Sequence, residues 1–401
     1  VFQKVFKAFS YPNFRLLWLG AFTSSVGTWM QQLAQPWLVY GITHDGFYLG
    51  LDAFLGQLPI VLFSLVGGVI ADRMDRRRLL LASQYVQMAS AFTLTALFAL
   101  GLNKVWPILV LSFVSGTAQA FGGPAYSALV PSLVSKEDIP NAIALNSIQF
   151  NLARIIGPVF GGLALASLGA AWCFGLNGIS FIFVVCSLLM LKINFKAGTA
   201  PASMLTSMKE GFRFIRNQGA MQGLIVIAFC MTLFAFPMLT FFPVFVKDVF
   251  HGGPNVFTLL LCMSGLGSVA GSLGVAATGN IKRKGMIALS SLVILGGCIG
   301  GFGASRNLAL SCVIVFLDGF VLMVAFSMIS SLVQLITSDT MRGRVMSVYN
   351  VAFRGGMPLG SLATGYLVKF YPAPSVIMVN GLLLMFVGLY FLVMQRRVAA
   401  L

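Results

Sequence analysis

Between its charged residues this chain runs apolar for longer than any water-facing fold tolerates. Leu16 to Thr43, Ala53 to Ala71, Leu79 to Asn103 and Val105 to Ser135 contain no Asp, Glu, Lys or Arg. A helix needs about 20 residues to cross roughly 30 Å of hydrocarbon, and each of these runs meets or approaches that length. With 58% hydrophobic and only 9% charged residues, there is too little charge to cover a soluble surface of 401 residues. Lipid offers no partner for an unpaired backbone N–H or C=O, so the spanning element is a helix or a closed barrel; the short alternating strands of a barrel do not occur.

The charge breaks place spans near 14–41, 48–71, 79–101, 106–134, 140–168, 171–191, 221–246, 255–279, 285–304, 308–337, 342–368 and 374–394. The one long polar connection, Lys192 to Gln218, divides them six and six. The expected architecture is therefore an all-α membrane protein of twelve transmembrane helices in two pseudo-symmetric six-helix bundles, 1–191 and 221–401, joined by a cytoplasmic linker over 192–220. Within the linker, Met204, Leu205, Met208, Phe212 and Ile215 recur at helical spacing against Lys209, Glu210, Arg213 and Arg216, which predicts an amphipathic helix on the cytoplasmic face.

A formal charge of +16 would suggest nucleic acid in a soluble protein, but here its placement is a topology signal. Basic residues gather at every second connection, from Lys4, Lys7 and Arg15 through Arg73, Arg76, Arg77 and Arg78 to Arg396 and Arg397. The opposite side keeps Lys104, Lys247, Arg306 and Lys369. The positive-inside rule then puts both termini in the cytoplasm of a cytoplasmic (inner) membrane protein. No nucleic-acid partner, metal or cofactor is expected: the two histidines are isolated and the six cysteines sit singly in apolar segments. The residues ahead of the first span lack a cleavage pattern, so no signal peptide is expected.

Landmarks recur about 200 residues apart, in order: His44 and His251, Arg76 to Arg78 and Lys282 to Lys284, Arg154 with Pro158 and Arg354 with Pro358, Asn177-Gly178 and Asn380-Gly381. Duplicated halves are the mark of secondary transporters. After the second span the chain reads Gly67-Gly68-Val69-Ile70-Ala71-Asp72-Arg73-Met74-Asp75-Arg76-Arg77-Arg78. This resembles the loop motif of the major facilitator superfamily at Gly68, Ala71, Asp72, Arg73, Arg76 and Arg77, and departs from it at Asp75, where the family has glycine. The resemblance implies an inner-side latch in which Asp72 faces the start of helix 11 near Arg342 and Arg344. Gly157-Pro158-x-x-Gly161-Gly162 on helix 5 is similar to the element that marks exporters of the superfamily. The loop after helix 2, Gly211-Phe212-Arg213-Phe214 and Arg342-Gly343-Arg344-Val345 are similar to the bacterial branch that holds enterobactin and macrolide exporters. Helix 4 lacks the arginine usual in drug/proton antiporters, and helix 1 has no acid, so proton coupling does not carry over at those positions.

Ionisable groups at membrane depth are costly and mark function. Arg154, Asp318 and Arg354 lie near mid-span. Asp318 and Arg354 form either a structural ion pair or a coupling pair, and Arg154 is a candidate contact for a carboxylate or phosphate of an anionic substrate. Candidate cavity walls are Gln31, Gln32, Gln35, Trp37, Tyr126, Gln149, Asn151, Asn350 and Phe353. At i,i+4 and i,i+3, Gln31 with Gln35 or Gln32 with Gln35 share a helix face. The function expected is secondary export of a small amphipathic molecule by alternating access, by a monomer in contact with membrane lipids, with proton coupling left open. An importer or lipid flippase of the same fold is the alternative, ahead of an intramembrane sensor or enzyme; no phosphate-binding loop for direct ATP drive is present.

Overall fold

A computed structural model describes residues 6–192, 204–278, 283–394 and 398; at Leu65, Asp72, 204–208 and Thr278 it describes the backbone alone. Lys4, Lys196, Lys282, Arg396 and Arg397 of the charge pattern lie outside the described residues. Among the described residues, twelve long helices carry the fold: α1 Pro12–Thr43, α2 Gly46–Arg73, α3 Arg76–Ala99, α4 Val105–Leu129, α5 Ile139–Ser167, α6 Ala170–Met190, α7 Gly219–Thr240, α8 Pro254–Thr278, α9 Lys284–Ala304, α10 Leu308–Leu335, α11 Arg342–Val368 and α12 Ala373–Val393. The shortest have 21 residues, enough to cross the hydrocarbon. No strand occurs among the described residues.

Nine of these helices are apolar enough to be recognised as spans by composition. The other three are α1, α3 and α11. They carry Gln31, Gln32 and Gln35; Arg76 to Arg78, Gln84 and Gln87; and Arg342, Arg344, Asn350 and Arg354. Helices that bring polar groups to membrane depth score as less apolar because one face looks away from lipid.

The described residues fall into two compact units, Val1–Ile42 with Leu55–Pro201, and Thr43–Phe54 with Ala202–Leu401. Each unit uses the same pairings. In the first, α5 packs on α1, α4 on α2, and α3 on both α4 and α6. In the second, α11 packs on α7, α10 on α8, and α9 on both α10 and α12. The repeated landmarks agree in backbone geometry as well. His44 and His251 both occupy the left-handed region, at φ of 48° and 50°, where the chain turns out of one helix and into the next.

Glycine sets the closest approaches. A side chain on Gly116 of α4 would collide with the Gly56 carbonyl of α2, and 203 residues later one on Gly319 of α10 would collide with the Ser264 carbonyl of α8. Backbone carbonyls cannot step aside as a flexible side chain would, so small residues at these crossings are obligatory. Gly319→Val is therefore expected to destabilise the second unit by about 1–3 kcal/mol or more through overpacking. Gly297→Ala, where an added Cβ meets nothing within 4 Å, should be neutral or stabilising. Thermal unfolding of the two purified variants, read by size-exclusion fluorescence, checks the contrast.

The N-terminal segment is pinned to the start of α5. Lys7 Nζ lies 2.8 Å from the Asp138 carboxylate, Tyr11 donates to the same group at 2.8 Å, and the Ala8 amide donates to Asn141. The hydrogen bond that Lys7 donates to the Asp138 carboxylate raises the pKa of its ammonium above the ordinary value. The expected amphipathic helix spans Met204–Arg216. Its buried face runs through Gly211 and Ile215 and leaves Phe212 exposed, although the apolar spacing had placed Phe212 with Ile215.

Candidate functional site

The first unit holds a chain of amides and hydroxyls that links three helices. Gln31 donates to Gln35 at 3.1 Å along α1, which selects the i,i+4 pair; Gln32 is exposed and takes no part in it. Asn177 of α6 donates to Gln31 at 2.6 Å, and Gln35 donates to Ser112 of α4 at 2.9 Å. Polar groups at this depth must satisfy one another, so each amide fixes the orientation of the next. A second cluster joins α4, α5 and α1. There Tyr126 donates to Asn146 at 2.5 Å and lies 3.4 Å from Gln149, and buried Gln149 donates to Ser25 and to the Ala21 carbonyl. Asn151 turns back to the Ser147 carbonyl of its own helix.

Arg154, halfway along α5, lies with its guanidinium 5.7 Å from the centre of the Trp29 ring of α1, and Trp29 in turn meets Phe150 edge-on. A cation over an aromatic face gains electrostatic stabilisation that grows with desolvation. The Gly157-Pro158-x-x-Gly161-Gly162 element explains how Arg154 is placed. Gly157 faces the Trp29 Cβ and the Val26 carbonyl, and Gly161 faces the Met30 backbone, so α5 closes onto α1 one turn beyond Arg154. Pro158 and Gly162 are buried along the same stretch.

In the loop after α2, two arginines reach backbone carbonyls at helix ends. Arg77 donates at 2.6 Å to both the Leu188 and Leu189 carbonyls at the end of α6, and Arg76 donates to Ala128 near the end of α4 and to Ala71. Helix C-termini leave unsatisfied carbonyls and partial negative charge, so a guanidinium is well suited to them. Asp75, the departure from the superfamily pattern, caps α3 by accepting from the Arg77 and Arg78 amides. The glycine that permits close approach is Gly67, set against the Ala120 carbonyl of α4; Gly68 has open space beside it. Arg73 is exposed, and the side chain of Asp72 lies outside the described residues.

In the second unit the two arginines expected to face Asp72 have partners of their own. Arg344 is ion-paired with Glu210 of the Met204–Arg216 helix, and Arg342 with Asp339 at 2.6 Å. Gly211 permits the first pairing, since a side chain there would come within 2.7 Å of the Arg344 carbonyl. Asp318 is buried at 2% exposure in α10, whereas Arg354 is exposed on α11. Adjacent helices 10 and 11 meet through few residues, α11 being packed on α7 instead. Asn350 is exposed; Phe353 stacks on Tyr349 and meets Phe326 at a tilt.

Sequence reasoning missed Asn177, Ser112, Asn146, Ser25 and Trp29 as members of these clusters. One signal was available: Asn177-Gly178 repeats as Asn380-Gly381, and Asn380 also makes a buried hydrogen bond, to Thr364.

Two units with the same internal pairings, glycine-sealed crossings and polar groups at mid-membrane depth define a transporter of the major facilitator type. Solved structures agree in fold. The nucleoside transporter NupG superimposes with a TM-score of 0.73 at 16% identity, covering 96% of this chain and 99% of that one. A POT family transporter in complex with 5-aminolevulinic acid gives 0.74 at 14% identity, covering 96% of both. The chain belongs to the family described as transmembrane secretion effector, which matches residues 4–400. Relatives include the enterobactin exporter EntS of Citrobacter koseri, 25% identical over 96% of this chain and 92% of that protein. The staphyloferrin A transporter of Staphylococcus aureus is 25% identical over 94% of this chain and 95% of its own length.

Proposed function

We propose that this protein exports an amphipathic small molecule bearing anionic oxygens, of siderophore type, from the cytoplasm by alternating access of two six-helix bundles, 1–191 and 221–401. The observation that carries the reading is Arg154. It is a cation at mid-length of α5, stacked on Trp29 beside the Gln31–Gln35–Ser112–Asn177 chain, in a position where an ion is retained only for a use. A guanidinium with an aromatic face recognises a carboxylate or catecholate joined to an apolar body. Full-length similarity to siderophore transporters supports the substrate class, and the helix 5 element supports the outward direction. The basic bias supports a topology with both termini on the cytoplasmic side of the inner membrane. Asp72 and the arginines around it form the inner latch, with Asp318 as the candidate proton carrier.

Inside-out membrane vesicles test the reading. Energised vesicles should accumulate a radiolabelled tricatecholate or carboxylate siderophore above the level of vesicles lacking the protein. Accumulation in right-side-out vesicles alone would reverse the direction and favour the importer.

A further inference from the structure

A cleft of about 460 Å³ opens in the second unit, lined by Phe326, Ser327, Ser330, Ser331, Gln334, Leu335 and Arg342. The first six lie on the last turns of α10, and Arg342 opens α11. The hydroxyls and the amide lie on one face of the helix end, at spacings of three, four and seven residues, and Gln334 donates to Ser330 at 3.4 Å. Two cations meet them. Lys284, the first residue of α9, has its ammonium 3.4 Å from Ser331 Oγ, and Arg342 borders the mouth. The first turn of α11 adds to the positive field, since no side chain caps it and an added Cβ at Gly343 would meet nothing within 4 Å. A carboxylate opposes Arg342: Asp339, whose side chain is 85% exposed, pairs with it at 2.6 Å. An incoming anion would displace that solvated partner and keep the guanidinium paired.

We propose that this cleft binds the carboxylate or other anionic oxygens of a small molecule at the cytoplasmic mouth of the second unit, as a capture site ahead of transport. The assignment to capture rests on the export reading, but binding itself does not. Three serines and a glutamine supply hydrogen bonds to oxygens, Lys284 and Arg342 supply charge, and Phe326 with Leu335 receives the apolar part. Citrate, with three carboxylates, is a suitable probe, and its neutral trimethyl ester is the matched control.

The test uses the full chain with Ser330→Cys, purified in neutral detergent micelles, with background from the native cysteines measured on the unsubstituted protein. Modification is followed with a sulfonate-bearing and a trimethylammonium-bearing methanethiosulfonate, each rate divided by that with free 2-mercaptoethanol. The normalised anionic rate should exceed the cationic one by about tenfold, the low end of electrostatic focusing in a charged cleft. Arg342→Gln should remove most of that preference, and citrate but not the ester should slow the reaction. Equal normalised rates, or no protection by citrate, would overturn the proposal. So would protection by added phosphatidylglycerol without protection by citrate, which would assign the cleft to a lipid headgroup. Gln334→Cys repeats every arm if Ser330→Cys does not fold. Citrate protection alongside failed vesicle accumulation would overturn the export reading and leave the cleft as an anion site.

Discussion

Arg154→Gln is expected to lower the transport rate at least about tenfold at matched expression, with a change of only a few degrees in thermal midpoint. Tenfold corresponds to about 1.4 kcal/mol, within the range of one desolvated cation–π contact or one charge-assisted hydrogen bond to substrate. Arg154→Lys separates charge from shape. It keeps the cation but loses the planar group over Trp29, so an intermediate rate is expected, with the apparent KM raised more than the maximal rate falls. Trp29→Leu should move the same parameter in the same direction, because the ring positions the guanidinium. An unaltered rate and KM in Arg154→Gln would remove this residue from substrate handling and, with it, the main support for an anionic substrate.

Asp318→Asn is expected to abolish accumulation driven by a pH gradient while counterflow exchange of bound substrate continues. The carboxyl is 2% exposed at mid-depth in α10, where a proton on it would be exchanged only through a change of surroundings between inward- and outward-facing states. Arg354 is exposed on α11, and adding Arg354→Gln to Asp318→Asn is expected to restore nothing. Asp52 of α2 is also buried, at 7% exposure, but lies close to the start of its helix. Asp52→Asn is the matched control and should retain gradient-driven accumulation. Proton uptake measured with a pH dye during substrate movement distinguishes coupling from a general loss of rate. Normal driven accumulation in Asp318→Asn would exclude the carboxyl as the carrier.

What the sequence by itself determined was whatever depends on position along the chain. Span length and charge spacing required helices, because each apolar run has to satisfy its own backbone in lipid. Duplication was visible in ordered landmarks such as His44 and His251, whose backbones share one unusual conformation. The i,i+4 face of Gln31 and Gln35 was legible for the same reason, since helical geometry relates those residues without any neighbour. Tertiary structure decided which groups meet across helices. Arg76 and Arg77 went to the carbonyl ends of α4 and α6, Asp75 to the amides of α3, and Arg344 to Glu210. A guanidinium's partner depends on which helix end lies within a few ångströms, and that is set by glycine crossings such as Gly116 on Gly56 and Gly319 on Ser264. Those crossings fix helix rotation and depth together, and neither quantity is written in the local pattern of a single span.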